Sequence, residues 1–432
     1  MDKQTFNLGL LDFLRASPTP FHAVSSASAM LVEAGFKALS EGDNWQLEAG
    51  GKYFTTRNDS SLIAFVYGEN SPVETGIRMV GAHTDSPCLK VKPKPDLCSK
   101  GYHQLAVEVY GGVLLHPWFD RDLSLAGRVF YRDSKGDMHR AMIDFVRPIA
   151  IIPSLAIHLD REANSGRAVN SQTDINPVLS VGQGDKVPPV RDLILAQLIA
   201  QHPHMDVATI LDYELCFYDV NPPALVGWNN HFIASARLDN LLSCYVALRT
   251  LLDTDSQQSQ LIVMNDHEEV GSSSMCGAHG PMLASFLQRI VPDAIQRDRM
   301  IQRSVMVSAD NAHGVHPNFV NKHDGNHGPV LNQGPVIKLN SNQRYATNGF
   351  TSSLFKHWCE AVDVPVQSFV VRNDMGCGST IGPITASEIG VHTIDIGVPT
   401  FAMHSIRETA GSDDAHYLYR VLSHFFKEPR LA

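Results

Sequence analysis

The stretch LIVMNDHEEVGSSS, residues 261–274, decides how the rest of the chain is read. Four consecutive apolar residues, Leu261, Ile262, Val263 and Met264, read as a buried strand, and the small-residue run Gly271–Ser274 turns the chain after it. Between them stand Asp266, His267, Glu268 and Glu269. A buried strand therefore delivers two adjacent carboxylates to its C-terminal end, where ligand crevices open in α/β sheets. Neighbouring side chains diverge at such an end and can take separate jobs. One can grip a metal while the other accepts a proton from water. Taken alone, the tetrapeptide reads as an acidic, solvated turn. Its recurrence as a pattern along the chain changes that reading.

Length and composition bound the alternatives. The 432 residues exceed one ordinary core, so two domains are expected. A hydrophobic content of 44% with 19% charged residues is that of a soluble globular protein and argues against disorder. The formal net charge of -10 disfavours nucleic acid or an anionic membrane as the main partner. No run approaches the roughly 18 apolar residues of a membrane span. The N-terminal MDKQTFNLGLLDFLRASPTP reads as a short amphipathic helix without the features of a signal peptide. Seven scattered cysteines with no C-x-x-C suggest reduced thiols rather than a disulfide framework or a thiolate zinc site. A cytoplasmic protein is expected.

Residues 1–90 mix helix and strand. The segment 21–36 has helical spacing, 53–56 and 62–67 read as strands, and 75–80 leads as another strand into Gly81-Ala82-His83-Thr84-Asp85. The stretch Lys92–Asp96, with Pro93 and Pro95, looks like a linker. Beyond it, alternating runs and a hairpin signal at Ser134-Lys135-Gly136-Asp137 mark residues 91–235 as a β-rich inserted domain. From about 236 the α/β alternation returns: a helix through Leu241, Tyr245 and Leu248, then strands at 261–264, 305–307, 366–371 and 393–396. A closing amphipathic helix is predicted with Ser412 as its N-cap. The expected architecture is a discontinuous α/β domain with a mixed sheet, 1–90 and 236–432, interrupted by the insertion.

Five segments share one grammar, an apolar strand followed by a metal-capable residue among small or turn-forming neighbours. They contain His83, Asp239, the pair Glu268-Glu269, Asp310 and His404. Each has a plainer reading. His83 reads as a satisfied core histidine, Asp239 as the N-cap of the helix that follows, Asp310 as an Asx turn and His404 as surface. Those readings would have to hold independently at all five. Two histidines plus three carboxylates also form the donor mixture that suits a pair of borderline divalent ions, zinc first. A carboxylate can bridge two ions ~3.5–4 Å apart, which an imidazole cannot.

The motifs GAHTDSP (81–87), ARLDN (236–240), DHEEVGS (266–272), SADNAHGVHPN (308–318), KLNSNQRYATN (338–348), RNDMGCGSTIGP (372–383) and AMHSIRE (402–408), with IHLDRE (157–162) in the insertion, resemble the aspartyl aminopeptidase family of co-catalytic dizinc exopeptidases. The resemblance implies a zinc-exopeptidase catalytic domain holding two Zn2+ per subunit and acting on peptides, acidic N-terminal residues favoured. It implies Asp239 as the bridging carboxylate, His83 and Asp310 on one zinc, and Glu269 and His404 on the other. Glu268 would be the general base and Asp85 the carboxylate orienting His83. It further implies that His158 reaches a neighbouring subunit's site, with ligation of zinc as the minority reading, and that the protein assembles as a homo-oligomer, a dodecamer. By its residues alone His158 is a strand-end histidine without assignment. Lys338 reads as a snorkelling lysine by its context and, by the resemblance, as the residue facing the substrate's first side chain. His313 and His316 are expected near the site, and Arg372, Asn373 and Asp374 look like a binding loop. Two alternatives remain open here: a neutral-residue aminopeptidase or N-deacylase of the same dizinc group, and a zinc-stabilised shell or carrier. A free Glu268 beside the ligands speaks against the last.

Overall fold

The computed structural model describes residues 1–182, 188–255 and 257–429. The chain forms two compact units. The first comprises Met1–Asp85, Pro223–Met403 and Glu408–Ala432, the second Ser86–Pro222 with His404–Arg407.

A nine-stranded mixed sheet organises the first unit. Its order runs Lys37–Ala38, Lys52–Arg57, Ser61–Val66, Ser259–Asn265, Ile77–His83, Val305–Ala309, His392–Gly397, Val336–Lys338 and Gln367–Phe369. The four central strands, from Ser259–Asn265 to His392–Gly397, are mutually parallel. Their sequences explain the placement, because both faces of each are apolar. Val80, Ala82, Ile262, Met264, Val305 and Val307 pack under the helices Lys3–Ala16, Leu238–Asp253 and Asp414–Lys427, burying Leu10, Leu241, Leu248, Leu418 and Phe425. Met79, Leu261, Val263 and Met306 face the other way, against Phe286 and Leu287 of the helix Met282–Ile290 and Met300 of Ala294–Gln302. Parallel strands need this double cover. Burying each such Leu or Phe is worth about 1.5–3 kcal/mol. A smaller five-stranded sheet of Ala224–Val226, Phe232–Ser235, Glu408–Gly411, Pro399–Phe401 and Ala312–His313 lies in the same unit.

The second unit is built on a six-stranded antiparallel sheet in the order Met138–Asp144, Leu123–Arg132, Thr209–Asp219, Cys88–Ser99, Tyr102–Tyr110 and Val178–Val181. The hairpin expected around residues 134–137 is present, with Arg132 opposite Met138. The helix Val190–Gln201 adds Ile194 and Leu198 to its core.

Three expectations are corrected. Lys92–Asp96 is not a linker: it lies inside the strand Cys88–Ser99. The ladder to Tyr102–Tyr110 shifts register between Val91 and Asp96, so Pro93 and Pro95 sit where no paired N–H is required. The units divide at Asp85/Ser86 and Pro222/Pro223 rather than near 90 and 235, because Cys88–Ser99 belongs wholly to the second sheet and Ala224–Val226 and Phe232–Ser235 to the first unit. The last helix begins at Asp414 with Asp413, not Ser412, at its N-cap. There the buried Asp414 carboxylate accepts from the backbone N–H groups of Asn332 and Gly334 (2.6 and 2.8 Å). No helix among the described residues is long and apolar enough to cross a membrane.

Candidate active site

Three neighbouring strand ends bring the first polar groups together. His83 is the last residue of Ile77–His83 and pairs in register with Asn265. Asp310 follows Val305–Ala309 directly, and Glu268 and Glu269 open the short 3-10 turn Glu268–Val270 just beyond Ser259–Asn265. That turn is entered through His267 at φ 62 and left through Gly271 at φ 95, a left-handed geometry that glycine adopts without strain. Asp239 comes from the other direction, in the first turn of Leu238–Asp253. It is not the N-cap: Arg237 holds that position, and Asp239 and Asn240 are non-helical. Two contacts fix this irregular turn. The Asn240 Nδ2 donates to the Ala309 carbonyl oxygen (2.8 Å), and the buried Glu408 carboxylate accepts from the Asp239 N–H (2.9 Å).

The buried imidazole of His83 is the hub. Its Nε2 lies 3.5 Å from Asp239 Oδ1, 3.5 Å from Asp310 Oδ1 and 4.0 Å from Glu268 Oε2. Its Nδ1 meets two acceptors, the Asp85 carbonyl oxygen at 3.0 Å and the Asp85 carboxylate at 3.3 Å. Both ring nitrogens thus face acceptors, Nδ1 towards Asp85 and Nε2 towards three carboxylates. Burial works to depress the basicity of this ring, yet its hydrogen bonds to Asp239, Asp310 and Asp85 hold it well above the usual imidazole value. Asp85 also accepts from the backbone N–H groups of Glu268 and Glu269, each at 3.1 Å. It thus ties the histidine strand to the glutamate turn.

The glutamates are perturbed in the opposite sense to exposed carboxylates. With 15% of its side chain exposed, Glu268 is pushed up to about 7, by burial first and against the pull of His83, with Asp310 and Asp239 adding repulsion. Burial, then the charge of Asp239, also holds Glu269 well above the usual range. A carboxyl group balanced near neutrality suits proton transfer.

The donor set fits zinc. One atom from each of His83, Asp239 and Asp310 lies within 4.8 Å of the other two, and the same holds for His83, Glu268 and Glu269. Carboxylates converging on one imidazole nitrogen repel one another, and a divalent cation converts that repulsion into ligation. The anomalously basic His83 reports the same demand for positive charge.

Lys338 does not snorkel. It is 3% exposed, and its ammonium lies 3.3 Å from Asp310 Oδ2 and 5.5 Å from the Tyr345 ring centre. His316 is half-buried against Phe319 and Phe401, and its Nδ1 accepts from the Asn318 N–H at 3.2 Å. His404 heads the tetrapeptide that belongs to the second unit, where its Nδ1 donates to the Gly112 carbonyl oxygen at 3.1 Å. His158 is not at a strand end: it is exposed in a turn between Ile152 and Asp160. The run holding it has too little apolar alternation to pair.

Sequence reading missed several supports. Glu408 sits in a quoted motif but carried no assignment. The Cys244 thiol donates to the His83 carbonyl oxygen at 3.0 Å. Asp395 is fully buried and pushed up by burial, accepting from Thr380 Oγ1 (2.5 Å) and the Ala346 N–H (2.6 Å). The signal in Asp395 was an acidic residue inside the apolar strand His392–Gly397, which burial forbids without partners.

A parallel-cored sheet whose strand ends converge a histidine with a set of carboxylates is the frame of a metal-dependent enzyme. The chain belongs to the M18 family: a model described as aminopeptidase I zinc metalloprotease (M18) matches residues 13–426. A probable M18 family aminopeptidase 2 from Pseudomonas putida is 60% identical over 429 residues, 99% of this chain and 100% of its own length. Among solved structures, that of the Ape4 and Nbr1 complex contains a chain 38% identical with a TM-score of 0.94, covering 98% of this chain and 86% of that one. The Saccharomyces mApe1 dodecamer follows at 30% identity and TM-score 0.84, covering 99% and 96%. The protein is therefore a zinc-dependent aminopeptidase that hydrolyses the N-terminal residue from peptides.

Proposed function

We propose that this aminopeptidase favours peptides beginning with Asp or Glu and works with two zinc ions per subunit. In this reading Asp239 would be shared by the two ions, with His83 and Asp310 holding one and Glu269 and His404 the other. Zinc, when bound, polarises the scissile carbonyl and acidifies water. Glu268 takes the proton from the attacking water and passes it to the leaving amine nitrogen, a task a carboxylate outside the ligand set suits. Asp85 holds the His83 ring and the backbone of both glutamates in place.

The observation that supports acidic preference most is the buried Lys338 ammonium beside Asp310. A carboxylate shared with zinc has little charge left for a lysine, so the ammonium needs another anion. The side chain of an N-terminal Asp or Glu supplies it. His316 is proposed as a further substrate contact. His158 is proposed to act on a neighbouring subunit's substrate, which makes homo-oligomerisation part of the activity. The mApe1 dodecamer supports a dodecameric assembly. Seven cysteines, none in a disulfide, support a cytoplasmic setting.

The test is a panel of peptide amides starting with Asp, Glu, Ala or Leu, assayed before chelation, after it, and after zinc is restored. Asp and Glu should be released fastest, with activity lost and regained with the metal. Faster release of Leu or Ala would overturn the acidic preference while leaving the aminopeptidase intact.

A further inference from the structure

A cavity of about 280 Å³ in the first unit counts His316 in its lining, and the rest of its wall has no part in the chemistry described so far. It is formed by the turns around His313–His323, the chain from Phe369 to Gly376 and the strand end at Thr400–Met403. Its ionisable lining is His313, His316, Lys322, His323 and Arg372, with no carboxylate, in a chain whose net charge is -10. Phe369 and Phe401 supply an apolar wall. Two acids lie near it. Asp374 forms a two-pronged pair with Arg372 (2.9 and 2.6 Å), Asp324 pairs with His327 (2.6 Å), and neither lines the cavity.

One imidazole there has hydrogen-bonding capacity to spare. The Nδ1 of His316 is an acceptor, so its proton is on Nε2, which is left as a donor. An anionic head with a short apolar stem matches such a lining.

The cavity adjoins the segment that carries Asp310: His313, three residues further on in the strand Ala312–His313, is part of its wall. Lys338 and Tyr345 do not line it, so it is separate from the place assigned to the substrate's first side chain. What remains of a peptide substrate is the part beyond the scissile bond. We propose that this cavity is a subsite for a carboxylate on that leaving portion. The carboxylate is either the side chain of an acidic second residue or the C-terminus of a dipeptide. The proposal rests on the aminopeptidase reading with Lys338 at the first residue.

The test compares kcat/KM of the zinc-loaded enzyme on matched pairs. Asp-Glu-Ala-amide against Asp-Ala-Ala-amide probes a second-residue side chain, and Asp-Ala against Asp-Ala-amide probes the terminal carboxylate. At least one ratio should be about tenfold in favour of the acid, the low end for a hydrogen bond to a charged group. Which ratio departs from one identifies the source. Lys322 is exposed, so Lys322→Met should fold; it should bring that ratio to within about twofold of one, and Lys322→Arg should restore most of it. A merely structural role for Lys322 would lower both members of a pair and leave the ratio standing, which would overturn the proposal. Ratios near one in the unaltered enzyme would overturn it too. Failure to cleave Asp-Ala-Ala-amide at all would instead refute the reading on which it rests.

Discussion

Replacing Asp85 by Asn tests the claim that one buried carboxylate couples the histidine strand to the glutamate turn. Asp85 Oδ1 accepts from the Glu268 N–H and Oδ2 from the Glu269 N–H, both at 3.1 Å, while Oδ1 lies 3.3 Å from His83 Nδ1. An amide keeps one oxygen and presents an NH2 group in place of the other. One of the two glutamate N–H groups must then face a donor, which costs about 1–3 kcal/mol. In the metal-free protein an opposing effect appears, because one negative charge leaves a crowded cluster of carboxylates. The two effects oppose each other there, so stability should change little. With zinc bound the repulsion is already neutralised, and only the loss remains. Zinc affinity should therefore fall about 10–100-fold, the usual scale for a partner that orients a ligand, equivalent to about 1.4–2.7 kcal/mol. The assay is competition for zinc against a chromophoric chelator, with turnover measured separately at saturating zinc. If Asp85→Asn holds zinc within twofold of the unaltered protein, Asp85 does not organise the site and the coupling argument is refuted.

The two glutamates should separate cleanly: Glu268→Gln should keep zinc and lose roughly 10²–10⁴-fold in turnover, while Glu269→Gln should lose zinc affinity. Metal analysis of both variants showing exchanged phenotypes would mean the assignments are reversed. Asp414 makes a prediction about pH. Burial pushes its carboxyl up to about 7 from an ordinary 3.8, so between those values the folded protein binds the extra proton and stability falls as pH rises. Asp414→Asn should therefore gain denaturation midpoint relative to the parent as pH climbs from about 4 to about 8, and a pH-independent difference would refute the shift. Mixing inactive His158→Phe subunits with inactive Glu268→Gln subunits, under conditions of exchange, should restore part of the activity. No recovery despite proven exchange would confine His158 to its own chain or to no role.

The ligand candidates were legible because each is announced locally. His83, Asp310 and the Glu268-Glu269 pair follow apolar strands within four residues, and a sheet with both faces buried must expose polar groups at its strand ends. The prolines at 93 and 95 misled for a physical reason: proline breaks a ladder, but a shifted register absorbs the break without ending the strand. Lys338 also misled, because an apolar flank predicts a lysine stem on the surface, whereas a buried ammonium requires an anion supplied by a residue 28 positions away. Glu408 and Cys244 were invisible for the same reason, and Asp395, flagged only by its place in an apolar strand, gave no hint of its partners. Their partners are 169, 161 and, at Thr380, 15 residues distant in sequence, and periodicity carries no information about such pairs.

This division has a consequence for how the site is held. The proposed ligands arrive on strands whose alignment is set by register: Asn265 opposite His83, and Ser308 opposite Gly81, which puts Asp310 in the same rank as His83. Strands about 4.8 Å apart in the same rank bring donors within reach of a shared ion without any special loop. Asp239 lacks that advantage, since it comes from a helix start that departs from helical geometry. Its position depends on two hydrogen bonds made across long sequence separations, Glu408 to its own N–H and Asn240 to Ala309. The residue proposed to touch both ions is thus the one whose placement is least fixed by the sheet. A bridging ligand must satisfy two sets of distances at once, so small errors in its position weaken both ions together. The buried turn around Asp239, pinned by those two hydrogen bonds, is the physical answer to that demand, and it is why a glutamate with no ligand role of its own belongs to the machinery.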